Sequence, residues 1–179
     1  PEKKLARRRV VITGLGIVSP VGNSIVEAWD SILAGRSGID RVTRFDASSF
    51  PVQIAGEVRN FDVSQYIPLK DARRMDTFIH YGMAAGIQAI RDAGLEANPA
   101  NADRIGVSIG SGIGGLPLIE TTRDEFVASG VRKISPFFVP GSIINMISGN
   151  LSIEFGFKGR NLSIVTACTT GTHSIGEAS

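Results

Sequence analysis

The stretch Ser163-Ile-Val-Thr-Ala-Cys-Thr-Thr-Gly-Thr-His-Ser-Ile-Gly176 decides the fold class, because a β-branched run passes into a helical start within a few residues. The run predicts a buried strand at residues 162–166. The small residue Ala167 follows, and Cys168 stands where the next helix should begin. A strand that leads directly into a helix is typical of α/β proteins.

The rest of the chain repeats this alternation. Further strands are expected at residues 9–13 and 104–109, each followed by a glycine turn. Apolar spacing and stop signals predict helices at residues 24–34, 71–93 and 142–155, with a polar helix after residue 115. Residues 36–70 are expected to form an excursion with a strand at 52–58, and residues 135–140 a rigid proline-bounded loop. We therefore expect one α/β domain over residues 1–179 with a largely parallel or mixed sheet.

Two predicted helices have distinctive apolar faces. The first is capped by Asn23 or Ser24, and its face comprises Ile25, Ala28, Trp29, Ile32 and Leu33. The helix at residues 71–93 carries Gly82 and Gly86 beside its apolar face. Glycine destabilises a helix interior by about 1 kcal/mol relative to alanine, so we expect another backbone to approach there.

The composition is that of a soluble globular protein, with 42% hydrophobic and 20% charged residues. A net charge of +2 is too small to indicate nucleic-acid binding. One cysteine allows no internal disulfide, and no apolar stretch approaches the roughly 20 residues that span a bilayer. Residues 1–9 form a basic lead into the first strand rather than a secretory signal. The expected location is the cytoplasm, without membrane insertion.

Cys168 has a position with chemical consequences. Free N–H groups and the positive end of a helix dipole stabilise a thiolate, and the small neighbours Ala167, Thr169 and Gly171 leave room for a substrate. The backbone N–H of such a residue can also donate to an oxyanion. A lone intracellular cysteine is often just a small buried hydrophobic residue, so the residues alone leave both interpretations open.

The chain offers only His80 and His173 as bases for this cysteine. His173 lies five residues after Cys168, about 140° around a helix, and so points elsewhere. His80 lies beside the apolar face of the helix at residues 71–93. Packing or an ordinary surface position is the expected role of both.

Gly110, Gly112 and Gly115 match the G-x-G-x-x-G pattern after a strand, which favours a nucleotide-binding oxidoreductase as the rival hypothesis. The match is weak, because Pro117 lies in the helix start that would hold pyrophosphate. No second strand ending in an acidic residue follows at the required distance.

Five stretches in one order resemble the β-ketoacyl-[acyl-carrier-protein] synthases, in particular the type II condensing enzymes. Together they are far more specific than any one motif. They are Val11-Ile-Thr-Gly-Leu-Gly-Ile-Val-Ser-Pro-Val-Gly-Asn23, Arg74-Met-Asp76, Gly110-Ser-Gly-Ile-Gly-Gly115, Ser135-Pro-Phe-Phe-Val-Pro140 and Thr166-Ala-Cys-Thr169.

The resemblance implies a thiolase-like fold, layered αβαβα in the complete enzyme, and a homodimer. Cys168 would accept an acyl group from acyl carrier protein, and the carbanion from decarboxylated malonyl carrier protein would attack the thioester. The product is a 3-oxoacyl chain two carbons longer, and no metal or redox cofactor is implied. Ile113 falls at the family position that gates the acyl pocket, and Phe138 at the position that closes the partner subunit's pocket.

Basic residues gain a meaning from the same resemblance. Lys70, Arg73 and Arg74 crowd the start of the helix predicted at residues 71–93, where cations oppose the helix dipole. With Arg132 and Lys133 they resemble the family's docking surface for an acidic carrier protein.

The family's catalytic histidines, active-site lysine and phenylalanine loop lie beyond the cysteine, in a half that this chain does not contain. We therefore interpret the chain as the N-terminal half, truncated in the helix after Cys168, and expect it to be inactive alone. The alternatives are a thiolase-type transferase that uses coenzyme A and a catalytically silent partner subunit. Retention of Cys168 argues against the silent subunit.

Overall fold

The computed structural model describes residues 9–179, so the basic lead lies outside the described residues except for Arg9. Helices and short strands alternate along it, joined by 3₁₀ turns at Val63–Gln65, Ala102–Arg104, Val131–Lys133 and Ala167–Thr169. The elements are α1 (Ile25–Leu33), β1 (Ile39–Arg41), β2 (Ile54–Gly56), α2 (Leu69–Ala72), α3 (Thr77–Asp92), β3 (Val107–Ser108), α4 (Leu116–Ser129), α5 (Phe138–Ser142), α6 (Met146–Phe155), β4 (Asn161–Leu162) and α7 (Thr170–Ala178).

The first predicted helix is present as α1. Ser24 is its N-cap in an extended conformation, and its hydroxyl accepts a hydrogen bond from the Glu27 N–H at 3.3 Å. Of the expected apolar face only Ala28 is buried, whereas Trp29 and Leu33 are exposed. Residues 9–179 therefore cover only one edge of this helix.

The core is built where α3 crosses α6. Its buried members come from these two helices and from the segment that precedes α3; they are Ile67, Ala72, Ile79, Met83, Ile87, Ile147 and Leu151. A Cβ on Gly82 would come within 2.5 Å of the Ile147 side chain, and one on Gly86 within 2.5 Å of the Leu151 side chain. The expectation of an approaching backbone is thus wrong at both glycines, because side chains of α6 fill the space.

The helix predicted at residues 71–93 is two helices. The short α2 ends at Ala72, and α3 begins only at Thr77, after the extended N-cap Asp76. The interruption changes the position of Lys70 and Arg73, which lie at the C-terminal end of α2 rather than at the start of a long helix. Cations are favourable at a helix C-terminus, so the predicted conflict with the dipole of a long helix is wrong for Lys70 and Arg73. Arg74 still lies two residues before Asp76, the N-cap of α3.

The α/β class is confirmed, although the strands are shorter than predicted. β3 and β4 pair in parallel, with Val107 opposite Asn161, and β1 and β2 pair antiparallel. The strand predicted at residues 9–13 is wrong, because these residues pair with no strand within residues 9–179 and Val11 is 70% exposed. The buried strand predicted at residues 162–166 ends at Leu162 as β4, and Val165 beyond it is 50% exposed. No helix in this described part is both long and apolar enough to cross a membrane.

The proline-bounded stretch is partly helical, which differs from the rigid loop expected. Pro140 lies inside α5, whose N–H groups in the first turn need no helical partner, so a proline is tolerated there. The helix expected at 142–155 begins only at Met146, and the left-handed Gly156 ends it as predicted.

The carboxylate of Glu57, the residue after β2, is buried and bonds to the segment that follows β1. Glu57 accepts a hydrogen bond from the Thr43 hydroxyl at 2.7 Å and from the N–H groups of Thr43 and Arg44 at 3.0 and 3.3 Å. The Thr43 hydroxyl first, and then the Thr43 N–H, hold the pKa of Glu57 below its ordinary value. The charged form of Glu57 is therefore the one that stabilises the hairpin.

Acidification should open this hairpin locally. The pKa of Glu57 is lower in the folded protein than in the unfolded chain, so its carboxylate stabilises the fold fully at a pH above the unfolded-state pKa. This stabilisation is lost as the pH falls through the pKa of the folded state. Amide hydrogen exchange should show protection of the Thr43 and Arg44 N–H groups falling in that acid window. In Glu57→Gln their protection should be low already at neutral pH, while Ile87 in the core stays protected. Equal protection in both proteins would contradict this role of Glu57.

Candidate active site

Cys168 is the middle residue of the 3₁₀ turn Ala167–Thr169 and is exposed. The turn leads directly into α7, which begins at Thr170. The turn begins with a sharp change of direction, because Thr166 is extended in φ and Ala167 adopts a left-handed φ of 50°. A non-glycine residue in this region costs about 1–3 kcal/mol, and such residues cluster at active sites. The turn therefore presents the sulfur at a strained strand-to-helix corner.

Threonine hydroxyls fix this corner. The Thr166 N–H donates to Thr170 Oγ1 at 2.9 Å, and that hydroxyl donates to the Ala167 carbonyl at 2.8 Å. Thr169 Oγ1 donates to the Thr166 carbonyl at 2.6 Å. Thr170 is buried, so its two bonds lie away from competing water. The result is a rigid frame on both sides of Cys168.

The backbone N–H of Cys168 donates to no acceptor within residues 9–179. An unpaired N–H beside an exposed sulfur can stabilise the oxyanion that forms when the sulfur attacks a carbonyl carbon. The turn thus places an exposed thiol beside one backbone N–H that has no acceptor within residues 9–179.

The glycine loop at residues 110–115 packs against the Cys168 turn. A Cβ on Gly110 would overlap the Ile164 carbonyl oxygen and come within 2.5 Å of Thr170 Cγ2. A Cβ on Gly112 would lie 3.4 Å from the Ala167 carbonyl oxygen. Close approach of two backbone segments explains Gly110 without a bound phosphate.

Ile113 lies on this loop and is 72% exposed, so no side chain of the described residues covers it fully. The next residue, Gly114, has a φ of 87°, and the Gly115 N–H donates to the Ser142 carbonyl at 3.0 Å. Phe138 is the first residue of α5 and is half-buried. The loop of Ile113 and the helix of Phe138 are therefore joined at Gly115 and Ser142.

The basic residues are all exposed but fall on two segments. Lys70 is in α2 and Arg73 and Arg74 follow it, whereas Arg132 and Lys133 lie in the 3₁₀ turn after α4. The Arg74 guanidinium carbon lies 4.2 Å from the centre of the Phe137 ring. This cation–π contact joins the first segment to the start of α5.

Both histidines lie against polar groups of the described residues, and His173 contacts Thr166 at the start of the cysteine turn. His80 Nε2 lies 2.9 Å from the Ala72 carbonyl oxygen and links α3 to α2. His173 Nδ1 lies 3.4 Å from Thr166 Oγ1, and its Nε2 lies 3.7 Å from Glu177. Neither makes a hydrogen bond to Cys168 within residues 9–179.

Two groups shape the site although the sequence assigned them no role. The first is the pair Thr166 and Thr170, whose spacing of four residues around the cysteine was a usable signal for a side-chain brace. The second is Asp76, an N-cap that the aspartate before an apolar helix could have revealed. Its second bond, to the Leu118 N–H, joins residues 42 apart and leaves no local signal.

Comparisons with known proteins identify the family of this chain. The family model described as "Beta-ketoacyl synthase, N-terminal domain" matches residues 7–179. The chain is 58% identical over 174 residues to the 3-oxoacyl-[acyl-carrier-protein] synthase 2 of Coxiella burnetii and, equally, to that of Vibrio cholerae. These matches cover 97% of this chain but 42% of each relative, so the chain spans about two fifths of their length.

Solved structures show the same fold. A beta-ketoacyl synthase from Burkholderia phymatum matches with a TM-score of 0.79 at 28% identity, covering 96% of this chain and 43% of that one. AntDE:AntF, a type II polyketide acyl-carrier protein in complex with its ketosynthase, matches with a TM-score of 0.77 at 25% identity over 96% of this chain and 46% of that one. The thiolase-like fold expected from the motifs is thereby confirmed. The chain belongs to the beta-ketoacyl synthase family and spans its N-terminal domain.

Proposed function

We propose that this chain is the N-terminal part of a polypeptide that elongates acyl-acyl carrier protein with malonyl-acyl carrier protein to 3-oxoacyl-acyl carrier protein. The observation that carries the proposal is Cys168, exposed at a braced strand-to-helix corner in a chain 58% identical to 3-oxoacyl-[acyl-carrier-protein] synthase 2 proteins. Residues 36–70, with their β1–β2 hairpin, form an excursion from this domain. The enzyme is a cytoplasmic homodimer.

The first step moves an acyl group to the sulfur. The Cys168 thiolate attacks the thioester carbonyl of acyl carrier protein, a new C–S bond forms, and the bond to the carrier thiol breaks. The Cys168 N–H donates to the oxyanion of the tetrahedral intermediate, since it has no acceptor within the described chain. The carrier leaves as a thiolate and takes up one proton from solvent, which balances the proton that Cys168 released to solvent when its thiolate formed.

The second step forms the carbon–carbon bond. Malonyl carrier protein loses carbon dioxide, and the electron pair of the broken bond becomes a carbanion. The carbanion attacks the thioester on Cys168, and the sulfur leaves as the thiolate that began the cycle. All electrons come from the malonyl group, so the balance needs no redox partner. The histidines that the family uses here are expected beyond residue 179, and the chain alone is expected to be inactive.

Ile113 and Phe138 are proposed to line the acyl pocket. The exposed Ile113 sits on the loop that touches the Cys168 turn, which supports a place at the pocket entrance. Phe138 is proposed to close the pocket of the second subunit, and its partial exposure at the start of α5 supports this.

The complete enzyme is needed to test the proposal. The complete enzyme can be prepared in two ways. One is the full-length protein that contains this chain, and the other is a fusion of this chain to the C-terminal part of the Vibrio cholerae relative. With acyl and malonyl carrier proteins the enzyme should release one carbon dioxide for each 3-oxoacyl product two carbons longer. Cleavage of a 3-oxoacyl chain by coenzyme A without carbon dioxide release would instead support the thiolase alternative.

Lys70, Arg73, Arg74, Arg132 and Lys133 are proposed to dock the acidic carrier protein. The structurally similar AntDE:AntF is a complex of a ketosynthase with its acyl-carrier protein, which supports an acyl carrier protein as the partner of this chain. All five residues are exposed, and complementary charge mainly raises the encounter rate and fixes orientation.

Reversing charge on this surface should raise the KM for carrier protein. Arg73→Glu is the cleaner variant, because Arg74 also contacts Phe137 and its loss removes about 0.5–1 kcal/mol of cation–π attraction. In the complete enzyme at low salt we expect the KM to rise about tenfold and the difference to shrink as salt is added. Arg36→Glu, an exposed arginine that follows α1, is the control. An equal KM for Arg73→Glu and wild type at low salt would remove Arg73 from the docking surface.

A further inference from the structure

Asp76 is buried, with 7% of its surface exposed, and it belongs to a motif that the proposed chemistry leaves unused. Its Oδ1 accepts from the Phe78 N–H of its own helix α3 at 3.4 Å, a long and weak bond. Its Oδ2 accepts from the Leu118 N–H at 2.8 Å. The stronger bond of this carboxylate therefore goes to α4, not to the helix that Asp76 begins.

Leu118 lies in the first turn of α4, and that helix lacks a cap of its own. Its N-cap residue is Gly115, which has no side chain to accept a hydrogen bond. A side chain there has no room, because a Cβ on Gly115 would come within 2.8 Å of Ser142 Cα and 3.1 Å of Asp76 Cβ. Asp76 supplies from a distant part of the chain the acceptor that Gly115 cannot.

The backbone of Asp76 also bonds to α5, so one residue links α3 to both α4 and α5. Its N–H donates to the Gly141 carbonyl at 3.0 Å, and Gly141 packs so closely on Arg74 that a Cβ would lie 2.5 Å from the Arg74 carbonyl oxygen. The residue after Gly141, Ser142, accepts from the Gly115 N–H. Asp76 is thus anchored by α3 in the core and bonded to α4, which follows the Ile113 loop, and to α5, which carries Phe138.

We propose that Asp76 is a positioning residue that sets acyl-chain selectivity by holding the end of the Ile113 loop at the start of α4. The inference rests on the proposed function, since Ile113 is taken as the entrance to the acyl pocket. Loss of the Leu118 bond leaves a partly buried N–H without its acceptor, so the first turn of α4 and the loop before it are expected to loosen. Asp76 acts through Ile113 and touches no reacting atom.

Asp76→Leu is the most informative variant, because it keeps nearly the size of the side chain and removes both acceptor oxygens, so no orientation can restore the Leu118 bond. In the complete enzyme we expect the ratio of kcat/KM for a twelve-carbon to a four-carbon acyl carrier protein to change about tenfold, since misplacement by about 1 Å can cost up to about a hundredfold. Transfer of the four-carbon chain to Cys168 should stay within about twofold. Amide exchange at Leu118 and Gly115 should accelerate in the same variant.

Ser24→Ala is the matched control, because it also removes an N-cap acceptor but from α1, which is remote in sequence from the loop. It should lower the Tm without changing the chain-length ratio or the Leu118 exchange. The proposal is overturned if Asp76→Leu leaves the chain-length ratio unchanged, whether or not its Tm falls like that of Ser24→Ala. Failure of the proposed function is a separate result, in which the wild-type complete enzyme forms no 3-oxoacyl product; the Leu118 exchange then still reports whether Asp76 holds α4.

Discussion

Replacing Cys168 by alanine should abolish acyl transfer in the complete enzyme, with a loss of at least about a thousandfold. Cys168 is exposed in a turn that threonine hydroxyls and backbone bonds hold together, so removal of its sulfur should leave the turn in place. The effect is then chemical, because no other group at this corner can form the thioester. The measurement is transfer of a radiolabelled acyl chain from carrier protein to the enzyme.

Thr172→Ser is the control for this variant, since Thr172 is an exposed residue of α7 with no part in the brace. It should transfer acyl chains at the wild-type rate, and all three proteins should melt within a few degrees of one another. Acyl transfer by Cys168→Ala at even a tenth of the wild-type rate would assign the nucleophile to another residue.

Replacing Gly110 by alanine should damage the site without touching the cysteine. The added Cβ overlaps the Ile164 carbonyl oxygen and approaches Thr170 Cγ2, so either the loop or the cysteine turn must shift. Overpacking of this kind costs about 1–3 kcal/mol of the free energy of unfolding. A shift of about 1 Å at a reacting group can cost up to about a hundredfold in rate, so a large loss of acyl transfer is expected.

Gly112→Ala tests the same loop with a different outcome. Its Cβ would lie 3.4 Å from the Ala167 carbonyl oxygen, an ordinary van der Waals distance, and its backbone φ is not positive. Denaturation and single-turnover transfer should therefore place Gly112→Ala near wild type and Gly110→Ala far below it. Equal effects of the two substitutions would show that loop flexibility, rather than close packing on the turn, requires these glycines.

Local signals predicted the fold where residues act on their neighbours. The Ser24 cap and the left-handed Gly156 were predictable, because a cap and a stop depend on a few adjacent residues. The break between α2 and α3 was not, since the apolar spacing continues through it and only the extended backbone of Asp76 separates the helices. The Ile147 side chain occupies the space beside Gly82, and these residues are far apart in sequence. The spacing of apolar residues along one helix cannot predict such a contact.

For the site too, local features were predictable and contacts between separate elements were not. The β-branched run and the helical spacing after it placed Cys168 at a helix start, where the structure has it. The contact of Gly110 with Ile164 and the bond from Leu118 to Asp76 depend on packing between separate elements. The left-handed Ala167 has no sequence signal, because alanine rarely adopts that conformation and its presence reflects the constraint of the turn.

The acyl-enzyme itself tests the central claim most directly. The complete enzyme is mixed with acyl carrier protein in the absence of malonyl carrier protein, quenched in acid and digested for peptide mass spectrometry. We predict that the peptide containing Cys168 gains the mass of one acyl group, which hydroxylamine removes as expected for a thioester. An unmodified Cys168 peptide beside an acylated peptide from elsewhere, or no acylation of an enzyme that still forms the 3-oxoacyl product, would contradict the account.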